Sequence, residues 1–159
     1  MPLLSQFDKT NAARPRMDVK RLHDDATLPK YQTAGAACFD LHAVLSEPVR
    51  ATHQRPVIIP TGLAFEVPAG FVMLVYSRSG HGFFSDTRLA NCVGVIDSDY
   101  RGEVRVKLAS DARHNGLNIN HGDRIAQAML VPVAQWELVE VDELSTTARG
   151  YGGYGSTGA

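Results

Sequence analysis

The side chains best suited to chemistry cluster in Gly94-Val95-Ile96-Asp97-Ser98-Asp99-Tyr100-Arg101-Gly102-Glu103-Val104-Arg105-Val106, which brings carboxylates, an aromatic ring and cations within a few positions of one another. The stretch reads as strand, acidic turn and strand. Val104, Val106 and Leu108 alternate with Glu103, Arg105 and Lys107, the period-2 signature of a half-buried strand. Cys92, Val93, Val95 and Ile96 make an apolar approach, while Asp97-Ser98-Asp99 and Gly102 supply turn chemistry. A hairpin of this kind carries acid, ring and base at one rim, a way to build a pocket for a flat, polar, charged ligand. The same residues also suit an ordinary turn with Tyr100 capping a core edge, so the rest of the chain must decide.

A chain of 159 residues amounts to one domain and can bury a core of its own. Its net charge of −1, from 16 cationic and 17 acidic side chains, gives no broad field to attract nucleic acid or an anionic membrane. An anionic ligand must therefore be met by local cations, backbone N–H groups or a metal ion. Cys38 and Cys92 have no metal-ligand spacing and suit a reducing compartment. No apolar run reaches transmembrane length, and Met1-Pro2-Leu3-Leu4-Ser5-Gln6-Phe7-Asp8 lacks the basic and apolar regions of a signal peptide. These features predict a cytoplasmic protein with neither nucleic-acid nor membrane partners.

The elements that must hold the central stretch are short. Residues 1–16 lack periodicity and are expected to form a loosely ordered arm. A β domain is predicted over 17–147. It begins with an alternating strand at Met17–Leu22 and continues with the small residues Ala34–Ala37 leading into a strand at Phe39–Ala43. Val57-Ile58-Ile59 and Leu63-Ala64-Phe65 are strand cores punctuated by Pro56, Pro60, Gly62 and Pro68. Phe71–Tyr76 is apolar on both pleat faces, a pattern that predicts burial on both sides and hints at a subunit interface. His81-Gly82-Phe83-Phe84-Ser85-Asp86 reads as a loop with its phenylalanines packed beneath it. Ile125–Val133 and Trp136–Val141 read as further strands, Pro132 placing the first at a sheet edge or bulge. Many short strands broken by Gly and Pro predict an all-β barrel or sandwich. The end, 148–159, is a glycine-rich arm, unable to fold alone yet able to bring N–H groups close to phosphates.

Separated stretches now fall into a known order. Ala34–Ala43 with Asp40-Leu41, Ser77-Arg78-Ser79-Gly80, the central turn, Gly122-Asp123-Arg124-Ile125-Ala126-Gln127 and the glycine-rich end resemble the motifs of the dUTP pyrophosphatase family in sequence and approximate spacing. Each is unspecific alone; together they span the chain from Ala34 onward. The resemblance implies a homotrimer of distorted jelly-roll subunits, three chains contributing to each active site and the glycine-rich arm closing over a neighbour. It implies hydrolysis of dUTP to dUMP and pyrophosphate by water attack at the α-phosphorus, keeping uracil out of DNA and supplying dUMP.

Carried onto this sequence, the family pattern makes Asp97 the catalytic carboxylate that takes the water's proton. It gives Tyr100 the role of packing against the deoxyribose. Asn91 and the backbone of Gly94, Val95 and Ile96 would read the base, with Tyr154 stacking where the family usually has phenylalanine. Arg78, Ser79, Gly80, Gln127, Arg149, Gly155, Ser156 and Thr157 would bind phosphates, guanidinium forks matching phosphate oxygens two at a time. Arg105 is a candidate substrate contact or an ordinary solvated residue. Mg²⁺ would ride on the triphosphate, with Asp40 touching its outer shell or ordering nearby arginines, and no direct protein metal ligand is expected. Cys38 stands where glycine is common, so the turn before Asp40 is expected to do without a positive φ.

Alternatives remain at this point. dCTP deaminases share the fold, but in them a glutamate on the strand after the turn handles protons at the cytosine ring, and the matching position here is Lys107. A protein-binding regulator on the same fold is the other reading, with 1–16 or the 81–86 segment as its docking element.

Overall fold

The computed structural model describes residues 16–112, 116–154 and 156, so the predicted arm at 1–16 lies almost wholly outside the described residues. Alternating apolar runs become strands where Gly and Pro bound them. In order these are β1 (Asp18–Arg21), β2 (Phe39–His42), β3 (Val49–Ala51), β4 (Val57–Pro60), β5 (Leu63–Glu66), β6 (Phe71–Tyr76), α1 (Ser79–Ser85), β7 (Thr87–Leu89), β8 (Val93–Ile96), β9 (Arg105–Ser110), β10 (Leu117–Ile119) and β11 (Arg124–Pro132). Among the described residues no helix is long and apolar enough to cross a membrane. Pairing is antiparallel throughout, in sheets ordered β1-β5, β10-β3, β2-β11-β6-β8 and β4-β9-β7. This is the all-β, distorted jelly-roll architecture expected from the sequence.

Leu41, Ile59, Leu63, Phe65, Met73, Leu108 and Ile125 fill the core, each fully buried and each worth roughly 1.5–3 kcal/mol in area removed from water. Phe39 stacks on Phe65 with centroids 6.2 Å apart, and Tyr31 meets Phe39 edge-on at 5.8 Å. β11 carries a bulge between Arg124 and Ala126, which turns the consecutive residues Ile125 and Ala126 both inward. Pro132 ends β11 opposite Phe71, beyond the reach of β2, where its missing N–H costs no ladder bond.

The structure corrects several sequence expectations. β8 and β9 do not pair as a hairpin: β8 lies on β6, and β9 lies between β4 and β7. The arms of the central turn enter different sheets and spread apart, because each finds a better ladder elsewhere. Residues 79–85 form α1 rather than a loop, and Phe83 and Phe84 stand 85% and 90% exposed instead of packing inward. Trp136–Val141 is not a strand; among the described residues no strand pairs with it, and Trp136 and Leu138 are 81% and 94% exposed. β6 buries Val72 as well as Met73 and Val75, with Phe71, Leu74 and Tyr76 half-buried, which matches its two-faced apolar pattern.

Candidate active site

Spreading the arms of the central turn opens a cleft between β8 and β9. Adjoining hollows of about 390 and 280 Å³ share Val95, Ile96, Val104, Arg105 and Lys107. The first adds Asp97, Tyr100 and Ile58, and the second adds Asn91 and Gly94. Alternation into β9 sends Val104, just before the strand, and Val106 and Leu108 within it into the core and leaves Arg105 and Lys107 to line the cleft. Arg105 is thus brought to the same cleft as Asp97. Lys107, in the sequence only a contrast with the deaminases, joins it there; the strand alternation itself is its signal.

The turn is rigidly made. Tyr100 N–H donates to the Asp97 carbonyl at 3.2 Å, and Arg101 Nη1 donates to the carbonyls of Ser98 and Tyr100 at 2.7 and 3.1 Å. Its base is tied to the β4–β5 turn: Gly62 N–H donates to Glu103 Oε1 at 2.8 Å, and Thr61 Oγ1 donates to the Val104 carbonyl at 2.6 Å. Gly62, at φ +65°, has no room for a Cβ, which would lie 2.9 Å from that of Ala26. Asp97 itself is exposed, and its carboxylate has no hydrogen bond or ion pair with another described residue. A free, charged oxygen at the cleft mouth can accept a proton from water.

β8 is the outer strand of its sheet. Among the described residues, the backbone groups of Gly94, Val95 and Ile96 on its far side face no strand, so they can hydrogen-bond a planar ring edge. Asn91 precedes Cys92, whose φ of 62° turns the chain into β8. An amide there offers both donor and acceptor.

A second group of predicted residues gathers elsewhere. Asp40 is buried, with Arg124 Nη1 3.3 Å from its Oδ2 and Arg78 Nε 3.7 Å from its Oδ1. Arg78 Nη1 also donates to the Arg124 carbonyl at 2.9 Å, whereas its Nη2 has no acceptor among the described residues. Burial and the neighbouring Arg124 lower the Arg78 pKa from its ordinary value. Gln127 pairs with Tyr76 across the β11–β6 ladder and donates to the Ser77 carbonyl at 3.1 Å. Ser79 and Gly80 open α1, and Ser79 borders a hollow of about 290 Å³ with Ser77, Arg78, Gly82 and Phe83. Asp40 thus faces two arginines, Arg78 and Arg124. Cys38 has no positive φ, as expected; burial and then Asp40 push its thiol pKa up.

Within the chain these groups stay apart. Arg78 and Ser79 line one hollow, Asp97, Tyr100, Asn91 and Arg105 another. Arg149, Tyr154 and Ser156 are exposed, while Gly155 and Thr157 lie outside the described residues. Among the described residues no cluster of three or more His, Cys, Asp or Glu side chains could hold a metal ion.

The family model described as dUTPase matches residues 24–158. The deoxyuridine 5′-triphosphate nucleotidohydrolase of Nautilia profundicola is 43% identical over 143 residues, covering 90% of this chain and 99% of that protein. Its namesake from Helicobacter hepaticus is 44% identical over 140 residues, covering 88% and 87%. Among solved structures, the dUTPase of Staphylococcus bacteriophage 80alpha with dUPNHPP superposes with a TM-score of 0.80 at 27% identity, covering 91% of this chain and 99% of that one. A mutant dUTPase from phage phi11 of S. aureus, described with a structural Mg(II) ion, gives a TM-score of 0.72 at 25% identity, covering 83% and 100%.

Proposed function

This chain belongs to the dUTPase family and is a dUTP nucleotidohydrolase; from that premise we propose that Asp97 activates the water that splits dUTP into dUMP and pyrophosphate. The observation that carries the proposal is the unpaired Asp97 carboxylate at the mouth of a cleft whose other walls suit a nucleoside. Water is a poor nucleophile towards a phosphorus wrapped in negative charge. A carboxylate within hydrogen-bond reach takes its proton and fixes its line of attack, typically worth a factor of roughly 10²–10⁴.

Uracil enters between β8 and β9, read by Asn91 and the free backbone edge of Gly94, Val95 and Ile96. Tyr100 packs against the sugar and leaves no space for a 2′-hydroxyl. Arg105 adds positive charge on the phosphate side. Deamination of a cytosine nucleotide would need a carboxylate where Lys107 stands in the cleft.

Arg78, Ser79, Gly80 and Gln127 take the triphosphate, and Arg78 Nη2 supplies a free donor for it. Since Arg78 and Ser79 line a hollow separate from the cleft of Asp97, a complete site takes them from a second copy of the chain. The exposed apolar ribbon Trp136–Leu144 and the two-faced strand β6 give such copies something to bury. The family resemblance makes that assembly a homotrimer. The arm at 148–159 reaches from one copy over another's site, with Tyr154 stacking on uracil and Arg149, Gly155, Ser156 and Thr157 contacting phosphates. When bound, Mg²⁺ would ride on the triphosphate and neutralise part of its charge; Asp40, already beside Arg78 and Arg124, would order those cations instead of ligating the ion. Free cysteines and a nucleotide substrate suit the cytoplasm.

The test is pyrophosphate release from dUTP, dCTP, dTTP and UTP with and without Mg²⁺. Release from dUTP alone, stimulated by the ion, is expected; ammonia from dCTP would overturn the reading.

A further inference from the structure

His81 lies one turn into α1 from Arg78, and its Nε2 is 3.2 Å from Arg78 Nη1. A guanidinium has only donors and keeps its proton, so Nε2 must be the acceptor and the ring's proton must sit on Nδ1. That Nδ1 is buried with no hydrogen-bond partner. A bare N–H in the interior is a cost that folded chains ordinarily avoid, and a ring present only for packing would give way to a carbon side chain. The acceptor on its other side supplies the reason to keep it. Asp40, at 3.7 Å from Arg78 Nε, is too distant for a directional hydrogen bond. The guanidinium plane is therefore set by the Arg124 carbonyl and by His81.

We infer that His81 is a positioning residue that holds the Arg78 guanidinium with its free Nη2 edge turned to the triphosphate, and that lets it go when the ring takes up a second proton. The inference rests on the assignment of Arg78 to the phosphates. A protonated ring would turn an N–H toward a cation, losing the acceptor and adding repulsion. The charged groups facing His81 are Arg78, Arg124 and Asp123; Asp40 and His42, on β2, face the same arginines. Burial and then Arg78 lower the His81 pKa, so the ring is neutral at neutral pH. His42 is lowered too, burial first, and must be kept apart in any test.

The experiment is steady-state dUTP hydrolysis from pH 5 to 8.5 by the full-length protein and its His81→Leu, His81→Gln and Arg78→Ala variants. His81→Leu is expected to raise KM about threefold to tenfold near pH 7.5 with little change in kcat, the size of one lost hydrogen bond. It is also expected to abolish the rise of KM on the acid side. His81→Gln, whose carbonyl oxygen accepts but does not titrate, should restore KM and remain flat with pH. An unchanged KM with the acid-side rise intact in His81→Leu would overturn the inference and give that titration to His42. Should His81→Leu not fold, an acid-side rise retained by His81→Gln overturns it equally. Arg78→Ala separates the two claims: a raised KM there beside an indifferent His81→Leu removes only the positioning role, whereas an unchanged KM in Arg78→Ala removes Arg78 from the phosphate site.

Discussion

The phenolic hydroxyl of Tyr100 donates to the main-chain oxygen of Glu103 across 3.0 Å, folding its ring over Gly102. A Cβ on Gly102 would lie 2.5 Å from that hydroxyl and 2.6 Å from the ring carbon bearing it. The ring's place is thus fixed by a hydrogen bond above and by the absence of a side chain below. Tyr100→Ala is expected to raise kcat/KM for UTP about tenfold or more relative to dUTP, the scale of a lost steric contact in a pocket. Gly102→Ala should move the same ratio in the same direction by pushing the ring aside. Unchanged rejection of UTP in both variants would mean that the sugar is read elsewhere.

Asp40 is buried, while the side chains of Arg78 and Arg124 that it pairs are 22% and 46% exposed. Solvent on the arginine side weakens the pairing, although removing the anion leaves two cations facing each other. Asp40→Asn is expected to cost about 1–3 kcal/mol in denaturant unfolding and to raise KM for dUTP more than it lowers kcat. A fall in kcat alone, at unchanged stability, would contradict the ordering role.

His42 and His81 are both held neutral, burial being the leading cause in each. Their folded pKa values lie below the ordinary histidine value of about 6.5, so as pH falls the unfolded chain takes up protons first. Stability from this source is full above that value and declines as pH drops toward the folded values. Melting temperature should therefore fall between pH 7 and pH 5, and His42→Gln with His81→Gln should flatten the decline. An equally steep decline in the double variant would locate the effect in other groups.

On the proposed reading, the glycine-rich arm closes the site and the ribbon before it joins the subunits. Truncation after Ala148 is expected to leave a folded trimer by light scattering, with kcat/KM for dUTP reduced about a hundredfold as lost closure over the substrate predicts. Trp136→Ser with Leu138→Ser should instead lower the assembly state, since exposed apolar side chains of that size call for a partner surface. A truncated protein that runs as a monomer would make the arm structural.

Local pattern revealed what depends on local pattern. Val104, Val106 and Leu108 alternate and are buried, and Asp97 and Arg105, from the central stretch, line one cleft with Asn91 beside them. The hairpin failed because the choice between β8–β9 and β8–β6 pairing is made by ladders distant in sequence, on which a turn motif is silent. α1 was hidden by Gly80 and Gly82, poor helix formers in a seven-residue helix. Trp136–Val141 alternates like a strand, but an alternation names only an apolar face, and no surface among the described residues covers that face. The pairing of Asp40 with Arg124 joins β2 to β11 and carries no signal in either segment alone.

The most direct test of the catalytic assignment is Asp97→Asn, with dUTP binding measured by calorimetry and turnover by pyrophosphate release. The amide keeps the shape of the side chain but is a far weaker base. An affinity within a few-fold of the unaltered protein and a kcat lower by roughly 10²–10⁴ are expected. Turnover at the unaltered rate would contradict that assignment.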